Sequence, residues 1–176
     1  MIGTVLTTER LELRPPTADD LPGLIELVAH EETRRFLGPV VLDAKSQADR
    51  LLRYVGSWAL YGYGMFMVRH HGKEQIIGSC GIFQSWRGFG QGMDDVPEAG
   101  WIIHRDAWGQ GVAGEVMRAV IDWFDTAHGP QRIACMIEEG NFASERVAAR
   151  FGFQRYGRHE PEDGATPLNL YQRLPG

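Results

Sequence analysis

Six consecutive residues, Gly109-Gln110-Gly111-Val112-Ala113-Gly114, lie between an apolar strand pattern and an apolar helix pattern. The first N–H groups of a helix have no intrahelical acceptor, and the helix dipole places partial positive charge at that end. Main-chain donors alone can therefore hold a pyrophosphate there. Glycine permits positive φ and leaves the amides unshielded by a side chain. The segment also reads as G-x-G-x-x-G, with Glu138 ending the next strand, where a dinucleotide-binding fold wants an acid for the ribose hydroxyl. Against that rival, the residues from His104 to Trp108 separate the strand from the first glycine, and too few residues follow Glu138 to build the further β-α units it needs. An ordinary tight strand-to-helix turn has the same composition, so the turn by itself specifies an anion site and not a function.

The elements that must position this turn follow from periodicity. Residues 4–14 alternate around Leu6, Leu11 and Leu13 and stop at Pro15-Pro16, which predicts one strand. Thr17, Asp19 and Asp20 offer caps to a helix with Leu21, Leu24, Ile25 and Val28 on one face. A second helix is predicted over residues 46–61, with Ala48, Leu51, Leu52, Val55, Trp58 and Ala59 as its apolar face, ended by Gly62 and Gly64. Strands at 65–69 and 75–83 are joined through His70-His71-Gly72-Lys73. Residues 85–97, with Gly88, Gly90 and Gly92, show no period and predict a mobile loop. A strand at 98–104, the glycine turn, a helix reaching His128, a strand at 132–138, a short helix at 141–151 and strands at 155–158 and 168–174 complete the chain. The order β-α-α-β-β-β-α-β-α-β-β implies an α/β (α+β) fold, a mixed sheet with helices on its faces, built as one domain over residues 1–176.

Bulk properties narrow the function classes. A formal net charge of −5 gives little support to phosphate neutralisation, so no nucleic-acid partner is expected. No apolar stretch has the length of a membrane span and the start does not read as a leader, which points to a cytoplasmic protein with no membrane partner. Cys80 and Cys135 have neither each other at short spacing nor a histidine at zinc spacing; they read as buried thiols. His70-His71 has no carboxylates nearby to complete a metal site, and no metal is expected.

With these elements in place, Glu98-Ala-Gly-Trp-Ile-Ile-His-Arg-Asp-Ala-Trp-Gly-Gln-Gly-Val-Ala resembles the CoA-binding motif Q/R-x-x-G-x-G/A of the GNAT acetyltransferase superfamily. Trp108 takes its first position, Gly111 its fixed glycine and Ala113 its final small residue. Tryptophan departs from Arg or Gln but resembles the branch of Rim-type ribosomal-protein N-terminal acetyltransferases. So do Leu6-Thr-Thr-Glu-Arg-Leu-Glu-Leu-Arg-Pro near the start and Asn141-Phe-Ala-Ser144 with Gly152-Phe153 later.

The resemblance implies acetyl transfer from acetyl-CoA, as co-substrate, to a primary amine on a small molecule or at a peptide or protein N-terminus. It implies that the strand carrying Trp101, Ile102 and Ile103 splays from its neighbour and receives the pantetheine arm, that the amides from Trp108 and Gly109 to Gly114 hold the pyrophosphate, and that the Asn141 side chain meets the CoA arm. Such transfer needs a neutral amine, a donor to the developing oxyanion and a proton for the departing thiolate. By resemblance Ser144 protonates the thiolate; many relatives use a tyrosine seven positions after the asparagine, here Ala148. Glu98 is the candidate general base, directly or through water. Trp86 and Phe89 in the glycine-rich loop, and Arg34, Arg35 and Phe36 after the first helix, are candidates for the acceptor pocket. The same scaffold also fits a non-catalytic CoA-binding sensor, and a homodimer through the terminal strands is compatible with the pattern.

Overall fold

The computed structural model describes residues 4–38 and 43–176. Along the chain run β1 (Leu6–Thr7), β2 (Leu11–Arg14), α1 (Leu21–Leu27), α2 (Glu31–Arg34), α3 (Ala44–Tyr61), β3 (Met65–His70), β4 (Gly78–Trp86), β5 (Asp94–Ile103), α4 (Val112–His128), β6 (Ile133–Glu138), α5 (Phe142–Arg150), β7 (Gln154–His159) and β8 (Leu168–Arg173). The strands form one eight-stranded sheet in the order β1-β2-β3-β4-β5-β6-β8-β7. Its pairs are antiparallel except β5 with β6, which is parallel.

One apolar face of the sheet packs on α4 through Val116, Met117, Val120, Ile121 and Phe124, all buried, against Phe66, Ile82, Ile133 and others. Burial of such side chains stabilises by about 1.5–3 kcal/mol each. A second cluster holds α1 and α3 through Leu24, Leu27, Val28 and Leu51 against Met65, Met67 and Ile76. Thr17 and Asp20 form a capping box ahead of α1, with Thr17 N–H donating to Asp20 Oδ2 at 2.7 Å. Asp43 caps α3 by accepting from Ser46 N–H at 2.7 Å, and Gly62, at φ 76°, ends it.

Three expectations are corrected. The single strand over residues 4–14 is two strands, with Leu6 opposite Leu13. Thr8 makes the turn, its N–H donating to the Leu11 carbonyl at 2.9 Å and its hydroxyl accepting from Leu11 N–H at 3.0 Å. The apolar face expected on α3 is rotated, since Leu52 is 69% exposed and Val55 is also exposed, while Gln47, Leu51 and Ser57 are buried. Ser57 can face inward because its hydroxyl donates to the Tyr63 carbonyl at 2.8 Å and accepts from Gln84 N–H at 3.2 Å.

The mobile loop expected over residues 85–97 is largely paired: Ser85 lies opposite Val96 and β4 continues to Trp86, with a bulge between Ser85 and Trp86. Asp94 closes the tip by accepting from Gly88 and Gly90 N–H at 2.6 and 2.7 Å. Phe89 stacks on His159 at 3.8 Å between ring centroids. Arg132 donates to the Gly92 carbonyl and the Tyr156 hydroxyl to that of Gln91, each at 2.8 Å. Glycines at the tip and a buried polar pair beneath it hid the alternation that ordinarily marks strands.

Both cysteines are free and buried, and burial pushes the Cys80 thiol up to about 12 and the Cys135 thiol well above its ordinary value. No described helix is long and apolar enough to cross a membrane.

Candidate active site

β5 and β6 meet in register at one pair, Glu98 opposite Ala134. Beyond it β5 continues to Ile103, still paired with β4 through Gly78, and β6 continues to Glu138, still paired with β8 through Leu168. The two inner edges have no further partner among the described residues, so the sheet opens into a V. Its apex is Glu98–Ala134, and one wall carries Trp101, Ile102 and Ile103. Alternate N–H and C=O groups along such an open edge are available to a ligand as they would be to a strand.

The mouth of the V leads to the glycine turn. After β5, His104 Nδ1 accepts from Asp106 N–H at 3.3 Å and starts one 3-10 turn, Arg105–Ala107. Trp108 closes it: its amide donates to the Arg105 carbonyl at 3.1 Å and its indole N–H to the Ile103 carbonyl at 2.8 Å. The Trp108 amide is thus engaged. The N–H groups of Gly109, Gln110, Gly111, Val112, Ala113 and Gly114 have no acceptor among the described residues. Gly109 and Gly111 have φ of 72° and 75°, and a Cβ added at either would meet nothing within 4 Å, so the turn is uncrowded on the side where side chains would stand.

Two basic residues that the pattern did not single out stand beside this turn. Arg150 Nη1 lies 2.8 Å from where a Cβ on Gly114 would be, and Arg118 and Arg150 line, with Gly111 and Gly114, a cleft of about 580 Å³. Arg118 could have been found, because it follows Gly114 by four residues and so shares its helix face. Arg150 belongs to α5, and no local spacing ties it to the turn.

On the far side of the V, Asn141 caps α5: its Oδ1 accepts from Ser144 N–H at 3.2 Å. The side-chain amide expected both to donate and to accept therefore has its NH₂ group left for a ligand. The Ser144 hydroxyl accepts from the Trp101 indole N–H at 3.2 Å, linking β5 to α5 across the opening.

At the apex Glu98 is 3% exposed. Its Oε2 accepts from the Ser85 hydroxyl at 2.6 Å and from Arg87 Nε at 2.8 Å, and its Oε1 accepts from Arg87 Nη2 at 2.6 Å. Burial opposes the charge on Arg87, but its hydrogen bond and ion pair with Glu98 prevail and hold its pKa above the ordinary value. Arg87, absent from the expectations, is thus the main partner of the candidate base.

The expected acceptor residues each have local partners. Arg34 Nη1 donates to the carbonyls of Val28 and Ala29 at 2.8 and 2.6 Å, capping α1. Arg35 lies over the Phe36 ring at 5.1 Å. Trp86 is 68% exposed, and Phe89 packs against the cluster of Met93, Val96, Ala134 and Leu170.

Residues 10–154 match the model of the acetyltransferase (GNAT) domain. The chain belongs to the GNAT acetyltransferase family. An uncharacterised N-acetyltransferase, YoaA of Bacillus subtilis, is 29% identical over 95% of this chain and 94% of its own. A solved GNAT-family acetyltransferase of Bordetella pertussis superposes with a TM-score of 0.87 at 29% identity, covering 98% of this chain and all of that one. A ribosomal-protein-S5-alanine acetyltransferase of Vibrio fischeri superposes at 0.79 with 18% identity, over 98% of this chain and 97% of that one, a likeness of fold alone. The GNAT assignment displaces the dinucleotide-binding alternative, which requires a parallel, doubly wound sheet; here one pair, β5 with β6, is parallel.

Proposed function

We propose that this GNAT chain transfers an acetyl group from acetyl-CoA to a primary amine, and that the acceptor is a peptide or protein N-terminal amine. The observation that carries the reading is the V between β5 and β6, opening toward six unpaired amides at the glycine turn. These features fit a long ligand with an anionic middle and an extended amide-bearing arm. The acceptor class is supported by the resemblance to the Rim-type branch in the motif segments and by the fold shared with the ribosomal-protein acetyltransferase.

Acetyl-CoA supplies an acyl thioester, already activated toward nitrogen. In the proposal the amides from Gly109 to Gly114 hold the diphosphate, with Arg118 and Arg150 adding positive charge. The backbone of Trp101, Ile102 and Ile103 and the Asn141 NH₂ orient the arm. Ser144 gives its hydroxyl proton to sulfur as the C–S bond breaks, and the proton that the nitrogen sheds after the C–N bond has formed returns through water to restore the Ser144 hydroxyl. Glu98 receives, through water, the proton that the ammonium loses before attack. Phe36, Trp86, Phe89 and the remaining donors of Arg34 are the proposed acceptor contacts. An α-amine has an ordinary pKa near 8, so modest basicity serves and positioning can supply much of the rate.

The test is direct. Acetyl-CoA at about 100 times its Kd should stabilise the fold by about 2.7 kcal/mol, read as a raised melting temperature, while NADH has no effect. Adding N-terminal peptides should then release free CoA thiol. Stabilisation without release from any amine would point to a CoA sensor, and no stabilisation would end the proposal.

Glu98 has its own check. If it relays the proton, Glu98→Gln should lower kcat/KM by about 10²-fold at neutral pH, with the defect narrowing above pH about 8 as the amine loses its proton unaided. If Glu98 only holds Arg87, Glu98→Gln and Arg87→Gln should give equal, pH-independent losses, no larger in the double variant.

A further inference from the structure

We infer that Arg10, on the turn between β1 and β2, is a positioning residue for acetyl-CoA binding, acting through the peptide bond between Gln110 and Gly111. The inference rests on the acetyl-CoA reading above but concerns a residue that lies on neither wall of the V and a hundred positions from the turn it serves.

Arg10 Nη2 donates to the Gln110 carbonyl at 3.0 Å. The peptide is planar and trans, so drawing this carbonyl toward Arg10 turns the Gly111 N–H to the opposite side. That N–H is one of the unpaired donors of the glycine turn. Gly111 is at positive φ, and with a glycine on either side of Gln110 the backbone has little intrinsic preference for one orientation of this plane. An external hold on the carbonyl is the device that selects one.

The hold is itself fixed. Arg10 Nε donates to Glu115 Oε2 at 2.8 Å, and the Thr8 hydroxyl donates to Glu115 Oε1 at 2.5 Å. Burial disfavours the Glu115 charge, but these bonds offset it and keep its carboxyl below the ordinary range. His71, in the turn after β3, anchors the backbone of Arg10: its N–H donates to the Arg10 carbonyl at 3.2 Å, and its Nε2 lies 3.0 Å from the Thr8 carbonyl. Glu115 lines the cleft beside the turn together with Gly111 and Gly114, and Arg10 stands behind it. The guanidinium fork spans a carboxylate and a carbonyl together, which a lysine ammonium cannot reproduce.

The experiment compares acetyl-CoA binding by calorimetry, kcat at saturating acetyl-CoA and the melting temperature of the free protein for wild type, Arg10→Gln, Arg10→Lys and the double variant Arg10→Gln/Glu115→Gln. Arg10→Gln should raise the Kd for acetyl-CoA by about tenfold, with kcat at saturation within about twofold of wild type, as for a group that aids binding uniformly. Arg10→Lys should show a smaller rise, and it carries the test if Arg10→Gln does not fold. The double variant should bind no better than Arg10→Gln. Recovery of wild-type Kd in the double variant would mean that Arg10 merely screens a carboxylate, and would overturn the inference. So would a lowered melting temperature with unchanged Kd in both single variants. If wild type itself does not bind acetyl-CoA, the functional reading falls first and this inference with it.

Discussion

Replacing Gly111 with valine should weaken acetyl-CoA binding by about 10²-fold or more, the product of two effects. Gly111 has φ of 75°, in the left-handed region, where a β-branched residue carries about 1–3 kcal/mol of strain. The backbone can relieve that strain by moving to negative φ, which reorients the Gly111 and Val112 N–H groups relative to each other. Each charge-assisted amide bond lost to the diphosphate is worth about 1.5–3 kcal/mol, so two account for the predicted loss. Calorimetric titration with acetyl-CoA checks it. Gly111→Asn is the informative companion, because asparagine tolerates the left-handed region and should retain more affinity than valine. A valine variant that binds like wild type would remove the glycine turn from the site.

How far the site could be read from sequence depended on whether its parts are local. The glycine turn is local chemistry: strand pattern, glycines and helix pattern stand in one stretch, and the structure leaves its amides from Gly109 to Gly114 unpaired as that stretch implies. The divergence of β5 from β6 is not local. No spacing within residues 98–104 says that pairing stops after Glu98, and the expectation came from resemblance alone. The hairpin at the start was legible and passed over: Leu6 and Leu11 differ by an odd number of positions, which breaks the alternation of one strand and marks a turn between them.

Side-chain partners were the least legible. Arg87 reaches Glu98 only because β4 and β5 pair, and the ion pair between this half-exposed arginine and the buried carboxylate leaves no mark in a pattern of apolar residues. The same holds for Arg10 and Glu115, brought together by the sheet and α4 across most of the chain. On α3, periodicity assigned Leu52 and Val55 inward because it weighs apolarity alone. Ser57 satisfies its hydroxyl inside and rotates the buried face by about one residue.

Ser144→Ala should lower kcat by about 10²-fold or more while leaving the Kd for acetyl-CoA within about twofold, the pattern of a proton donor used only as the bond breaks. A serine in the first turn of a helix commonly spends its hydroxyl on the backbone, but here Asn141 supplies the cap and accepts from the Ser144 N–H. The hydroxyl instead accepts from the Trp101 indole N–H. That bond occupies a lone pair and leaves the hydroxyl proton uncommitted; donation into the oxygen also polarises the O–H and makes its proton easier to give. Trp101→Phe should therefore reproduce part of the Ser144→Ala defect, and the double variant should be no slower than Ser144→Ala alone. The defect should narrow above pH about 8.5, the ordinary range of a thiol, where a thiolate can leave without a proton. Rates read from CoA release across pH, at saturating acetyl-CoA, decide it: a wild-type kcat in Ser144→Ala, or a loss that stays constant at every pH, would assign the proton to another donor.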